Sequence, residues 1–258
     1  SIDALSQEFR SSIDVIQWAV TGYLLAMSLV IPLSGWAMER FSARRLWLTA
    51  QTLFLVGSVL CGIAWSVESL VFFRVVQGLG GGMVMPLAQA MLARAAGPGR
   101  MGRVMAIVSI PAMLAPVVGP VIGGVFVDEL SWRWIFLVNI PLGVLAIALA
   151  WLKLPADPSS GRSRLDVAGL LMLCPGLAFL LYGIAESGGK GSTSSSSLAF
   201  AAVGVVLVAG FAIHALRTKH MPLIDLRLFK DRGYCSAVVT QFMLNAALFG
   251  AMFLLPLY

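Results

Sequence analysis

The sequence predicts an all-α, polytopic membrane protein, and three observations carry that prediction. Apolar residues make up 59% of the 258-residue chain and charged residues only 12%, where a soluble domain carries about 25% charged residues. The mean hydropathy is +0.90. Apolar residues gather into eight runs, at 17–38, 46–65, 69–93, 104–127, 134–152, 166–185, 198–216 and 234–258. These runs are too long and too uniformly apolar for the alternating strands of a membrane barrel, so each reads as a helix.

The third observation is where the charge lies. Of the 18 Lys and Arg, fourteen (Arg40, Arg44, Arg45, Arg94, Arg100, Arg103, Lys153, Arg162, Arg164, Arg217, Lys219, Arg227, Lys230 and Arg232) fall in every second connection. The other connections and the N-terminal stretch hold Arg10, Arg133 and Lys190, and Arg74 alone lies inside a run. The positive-inside rule makes the first group cytoplasmic and the N-terminal stretch external. The net charge of +6 is therefore topology, not a nucleic-acid patch. Cys61, Cys174 and Cys235 each sit in an apolar run with neither a pairing pattern nor metal-ligand spacing, so they read as small buried residues. No cofactor or metal is expected.

In chain order, residues 1–16 are a polar, amphipathic outer connection. The stretch 35–45 (GWAMERFSARR) is expected as a short inner turn between two helices. There Gly35 would permit close approach at the helix end. Glu39 can accept from N–H groups or a cation, and Arg40, Arg44 and Arg45 can meet acids or helix C-termini. The spacing alone favours a plain basic cytoplasmic turn that obeys the positive-inside rule.

The stretch 73–86 (FRVVQGLGGGMVMP) carries Arg74, a charged side chain within a membrane run and so a functional candidate by default. At helical spacing Gln77, Gly78, Gly81, Met85 and Gln89 share its face, a polar stripe that implies a water-filled cavity or a partner helix. The alternative is that Arg74 snorkels to the outer interface. The glycines are no phosphate loop, since they lack a Lys-Ser/Thr ending and follow no strand.

The run 104–127 has 24 residues without a charged side chain, about 36 Å as a helix, which spans a hydrocarbon core of about 30 Å. Its three prolines and three glycines would break a soluble helix but are tolerated in a bilayer. Ala112, Pro116, Gly119 and Gly123 form one stripe of small residues against which another helix can approach closely, a device that ordinary membrane packing also uses. Beyond it, Asp128 and Glu129 can pair with Arg133, while Asn139 and Pro141 add a polar site and a kink to the next helix. Trp65, Trp132 and Trp134 fit an outer interfacial belt. Two linkers follow, at 154–164 and at 188–197 (GGKGSTSSSS), the second expected as a mobile outer loop. The basic connection 217–233 is a domain boundary, with topology and lipid headgroup contact as the simpler account. His214 lies at the inner end of its run and reads as interfacial. Without a Ser/His, Cys/His or metal constellation, an enzyme is hard to support.

Taken together, these stretches resemble the major facilitator superfamily, and within it the fourteen-helix drug:proton antiporters. GWAMERFSARR is similar to the signature turn between that family's second and third helices, RVVQGLGGG to the Arg-x-x-Gln-Gly signature of the fourth, and APVVGPVIGG to the antiporter signature of the fifth. SWRWIFLVNIPLG is similar to the start of its sixth. Glu39 stands where the family usually has Asp, Ser42 where Gly is usual, and Ala106 and Ala115 where Gly is preferred.

The resemblance implies an N-terminal lobe lacking its first helix. Residues 1–16 would be the outer connection, 17–152 helices two to six, and 153–216 a linker region with two extra transmembrane helices. Residues 217–258 would be a cytoplasmic connection and the first helix of the C-terminal lobe. It implies proton-coupled efflux of small, lipophilic or drug-like compounds across the inner (cytoplasmic) membrane by alternating access. Arg74, Gln77 and Gly78 would belong to the proton or substrate path. Pro116, Gly119, Pro120, Gly123 and Gly124 would shape the fifth helix as a hinge, and Gly35, Glu39, Arg40, Arg44 and Arg45 the cytoplasmic gate. The expected partners are a small-molecule substrate, protons and the lipid bilayer, with no nucleic acid, and the expected state is a monomer. An importer or uniporter of the same fold and a non-transporting membrane scaffold are the alternatives.

Overall fold

The computed structural model describes residues 13–97, 99–155, 165–189, 195–218 and 222–254. Within that set the side chains at 13–14, 112, 116–117, 120, 127–128, 185, 187–189, 249 and 251–254 are not described. Among the described residues the chain is helical with no strand, and a helix occupies each apolar run. The helices are α1 (Ile13–Arg40), α2 (Ala43–Gly62), α3 (Val67–Ala96) and α4 (Met101–Val125), the last running into a π-helical turn (Phe126–Leu130). They are followed by α5 (Trp134–Leu137), α6 (Asn139–Lys153), α7 (Val167–Gly189), α8 (Ser195–Arg217), a 3-10 turn (Leu226–Lys230) and α9 (Arg232–Leu254). Six stretches (Val15–Arg40, Ala43–Gly62, Val67–Ala96, Trp134–Lys153, Val167–Ile184 and Ser195–Arg217) are long and apolar enough to cross a membrane.

The register of the closest contacts gives the direction of each helix. On α3, Gly78 meets the Tyr23 carbonyl of α1 and Gly82, one turn later, meets Met27, so α1 and α3 run parallel. On its other side α3 meets α2 antiparallel, with Gln77 against Gly57 and Gly80 against Ala50 and Phe54. The glycine run thus serves two neighbours at once, bringing three backbones close together. Helix α6 lies antiparallel on α2: Gly143 meets Leu55, and the Arg44 guanidinium donates to the Trp151 carbonyl. Helix α7 docks antiparallel on α1, where Trp18 stacks on Tyr182 at 5.6 Å and the Cys174 thiol donates to the Leu29 carbonyl at 3.2 Å. Gly183 against Ala201 and Gly204 against Leu180 close the α7–α8 hairpin. Helix direction alternates through these pairs, as the split of basic residues requires.

Local chemistry sets the ends. Ser66 and Ser69 form a reciprocal capping box at the start of α3 (Ser69 N–H to Ser66 Oγ 3.2 Å, Ser66 N–H to Ser69 Oγ 3.0 Å), and Gly97 ends it at a φ of 69° that a side chain would resist. Asp166 caps α7 by accepting from Gly169 N–H at 2.9 Å, and the same oxygen lies 3.0 Å from Nε2 of His214. His214 therefore clamps the inner ends of the hairpin. Arg227 donates to the Thr218 carbonyl at 3.0 Å, tying the 3-10 turn to the end of α8.

Several expectations change. The stretch 35–45 is not a loop: α1 continues through Arg40 and only Phe41 and Ser42 separate it from α2. Gly35 has open space beside it among the described residues, so it permits no close approach there. Trp65 and Trp134 are exposed as an interfacial belt demands, but Trp132 is 3% exposed and belongs to the core. Its ring packs edge-on to Phe136 at 6.1 Å and lies under the Arg133 guanidinium at 4.5 Å. The Ser-rich loop is shorter than expected, since Ser195–Ser197 open α8 and Ser197 is buried. Residues 190–194, and 156–164 of the other linker, lie outside the described residues. Of the cysteines, only Cys61 is fully buried.

The orientation makes a direct prediction. In the full-length protein on a cysteine-free background, Trp65→Cys should react with an impermeant thiol reagent in intact cells. Arg45→Cys and Lys230→Cys should react only after permeabilisation. The reverse pattern would invert the topology.

Candidate functional site: an arginine held between helices

Arg74 lies two turns into α3 and is half-buried. A cluster of buried residues (Ala19, Cys61, Ala64, Leu70, Phe73, Trp132 and Phe136) packs the outer ends of α1, α2 and α3. The side chain instead turns inward: Nη1 donates to Gln77 Oε1 at 3.1 Å. Its guanidinium carbon stands 4.6 Å from the Phe136 ring centre and 5.1 Å from that of Tyr23. Both are within the reach of a cation–π contact, worth about 2 kcal/mol when desolvated. These rings help stabilise a cation that pairs with no carboxylate among the described residues. Its Nε is buried and makes no hydrogen bond there.

Gln77 is 2% exposed and spans the gap to α2. Its Nε2 donates to Ser58 Oγ at 3.0 Å, Asn139 Nδ2 donates to the same oxygen at 3.1 Å, and Ser58 Oγ donates to the Phe136 carbonyl at 2.9 Å. The chain Arg74–Gln77–Ser58–Asn139 thus joins α3, α2 and the α5–α6 break. Pro141 imposes that break, because it has no N–H for the Leu137 carbonyl and its ring crowds that turn. Interhelical hydrogen bonds in bilayers are worth only about 0.6 kcal/mol each on average. The main effect of the network is therefore to fix geometry; helix association rests on the glycine-mediated packing.

The predicted site residues separate into three places. Arg74 and Gln77 meet directly, while Gly78 turns to α1 and packs on Tyr23 and Ala26. Further along the expected stripe, Met85 and Gln89 are exposed among the described residues. Glu39 and Arg40 end α1 and are exposed, as is Arg45 in the first turn of α2, whereas Arg44 is held at the C-terminus of α6. Backbone helix runs unbroken through Pro116, Gly119, Pro120, Gly123 and Gly124 in α4. Gly119, Gly123 and Gly124 face open space among the described residues, and α4 touches α3 only sparsely. Ser58, Tyr23 and Phe136 escaped the sequence reading. A signal for Ser58 was present, because Gln51 and Ser58 stand seven residues apart on the face that α2 buries.

Comparison with known proteins agrees with this architecture. The family model of the Major Facilitator Superfamily matches residues 1–258. The chain is 46% identical over 253 residues to a "Multidrug resistance protein B homolog" of Mycobacterium tuberculosis, covering 97% of this chain and 47% of the relative. It is 33% identical to the "Uncharacterized MFS-type transporter YhcA" of Bacillus subtilis, over 98% of this chain and 48% of the relative. Against the "Putative multidrug resistance protein MdtD" of Escherichia coli it is 30% identical, over 94% of this chain and 51% of the relative. The chain spans about half the length of these curated relatives. A membrane-spanning helical chain with an interhelical arginine site, matched end to end by the family model, belongs to the Major Facilitator Superfamily.

Proposed function

We propose that this chain is the N-terminal part of a proton-coupled antiporter that extrudes small, lipophilic or drug-like compounds across the cytoplasmic membrane. The observation that carries the reading is Arg74, a permanent cation held in a membrane-spanning helix between two aromatic rings and turned away from the outer surface. Such a group lowers the pKa of a carboxylate brought to it, and so holds that carboxylate ionised until a proton or a cationic compound displaces it. The carboxylate would come from a helix outside this chain. The multidrug-resistance names of two relatives support the substrate class. In this reading α1–α6 form a lobe, α7 and α8 an added linker pair, and α9 the first helix of a second lobe, while the α4 stripe faces that lobe.

The test uses the full-length protein in right-side-out and inverted vesicles with a fluorescent dye and an imposed proton gradient. Extrusion coupled to proton entry supports the antiporter, and gradient-driven uptake would replace it with an importer. A companion prediction concerns Gly123→Leu. A Cβ added there would meet nothing within 4 Å among the described residues, so thermal stability and expression should stay near wild type. Efflux should fall at least severalfold, because a bulky side chain would hold a facing helix away in one conformation. Unchanged efflux would leave the stripe as a lipid-facing surface.

A further inference from the structure

We propose that Ser58 is a positioning residue for the Arg74 site, setting both the polarity of Gln77 and the place of the Phe136 ring. The inference rests on the reading of Arg74 given above and extends it to a hydroxyl on a different helix. Ser58 is fully buried, and a serine hydroxyl has one proton and two acceptor positions. Here all three are used: the proton goes to the Phe136 carbonyl at 2.9 Å, and the acceptor positions take Gln77 Nε2 at 3.0 Å and Asn139 Nδ2 at 3.1 Å.

The saturation has a consequence for Gln77. Because the hydroxyl proton is committed to Phe136, Ser58 can only accept from Gln77. The amide must then present its NH2 to α2 and its oxygen to Arg74, the one polarity that attracts a guanidinium. A flipped amide would turn two N–H groups toward the cation. The Phe136 carbonyl pinned by Ser58 belongs to the residue whose ring stands 4.6 Å from the guanidinium. Two of the three groups that hold Arg74 are therefore referred to one oxygen atom, and only Tyr23 is placed independently.

The Cys61 thiol also donates to Gln77 Oε1, at 3.9 Å, so removing the Ser58 hydroxyl leaves the amide held by that weak bond and by Arg74 itself, and lets the ring drift. Arg74 then stabilises its carboxylate less well, so that carboxylate's pKa rises and the midpoint of the pH–efflux profile moves to higher pH. In the full-length protein, Ser58→Ala should move the midpoint upward in the same direction as Arg74→Lys. It should also lower efflux at neutral pH about tenfold. Ser58→Thr, which keeps the hydroxyl, should restore the wild-type midpoint. If Arg74→Lys moves the midpoint and Ser58→Ala does not, Ser58 is packing alone and the proposal is overturned. If neither Arg74→Lys nor Arg74→Ala alters the profile, the reading of Arg74 itself fails and the proposal falls with it. Should Ser58→Ala not fold, Ser58→Cys carries the same test, since it fills the site with a slightly larger group that is only a weak donor and acceptor. A smaller upward shift supports the proposal, and an unmoved midpoint counts against it.

Discussion

Gly80→Ala is expected to prevent α2 and α3 from packing, and with them the rest of the helix group. A Cβ at this position would lie 2.4 Å from the Phe54 nitrogen, 2.7 Å from the Ala50 carbonyl oxygen and 2.9 Å from the Phe54 Cα. All three are backbone atoms of α2, so no rotamer change relieves the overlap and the helices must separate. Overpacking in a tight core costs about 1–3 kcal/mol, and more where nothing can yield. That is a large part of a net stability of about 5–15 kcal/mol. Separation at Gly80 also pulls Gln77 away from Ser58, one turn along the same crossing. The full-length variant should show a strong loss of folded protein and a Tm at least several degrees lower in detergent. Gly123→Ala, introduced in parallel, should show neither effect, because its surroundings are open. Equal behaviour of the two variants would mean that the glycine run of α3 is not what sets the helix spacing.

The contrast between these glycines marks what could be read in the sequence and what could not. Run length and composition gave the helices, because a bilayer leaves an apolar segment few other ways to satisfy its backbone. Alternation of basic residues gave their directions, because charge is retained on the cytoplasmic side independently of packing. Which glycine stripe lies against a neighbour was not legible. GLGGG on α3 and GPVIGG on α4 are equally good small-residue surfaces, and only tertiary pairing shows that the first lies against α1 and α2. Arg74 stood out since an intramembrane cation is rare, and Gln77 followed from it at helical spacing. Ser58 did not, because its importance comes from meeting Asn139, 81 residues away, at a break that a proline in another segment imposes. Trp132 was misplaced for a related reason. A tryptophan next to charged residues fits an interfacial belt, and nothing local told that it would turn under Arg133 into the core.

Arg74→Ala is expected to abolish proton-coupled efflux while leaving the fold intact, and the two halves of that expectation have different causes. Among the described residues the guanidinium is a costly group: it is held by one hydrogen bond and two rings, and its Nε is buried without a partner. Replacing it removes that desolvation cost, so the Tm of the full-length variant should be unchanged or slightly raised. Function should respond oppositely. Losing the cation that holds the proposed carboxylate ionised should slow efflux about a hundredfold, which is about 3 kcal/mol on the barrier. The carboxylate left without its cation would stay protonated at neutral pH and could no longer exchange a proton for substrate. Arg74→Lys keeps the charge but loses the planar stacking on Phe136 and Tyr23, so it should retain weak efflux with a midpoint moved to higher pH. Both variants should be assayed in vesicles at several pH values with matched expression, alongside thermal unfolding. A stable Arg74→Ala protein that pumps at the wild-type rate with an unshifted profile would remove Arg74 from the transport path.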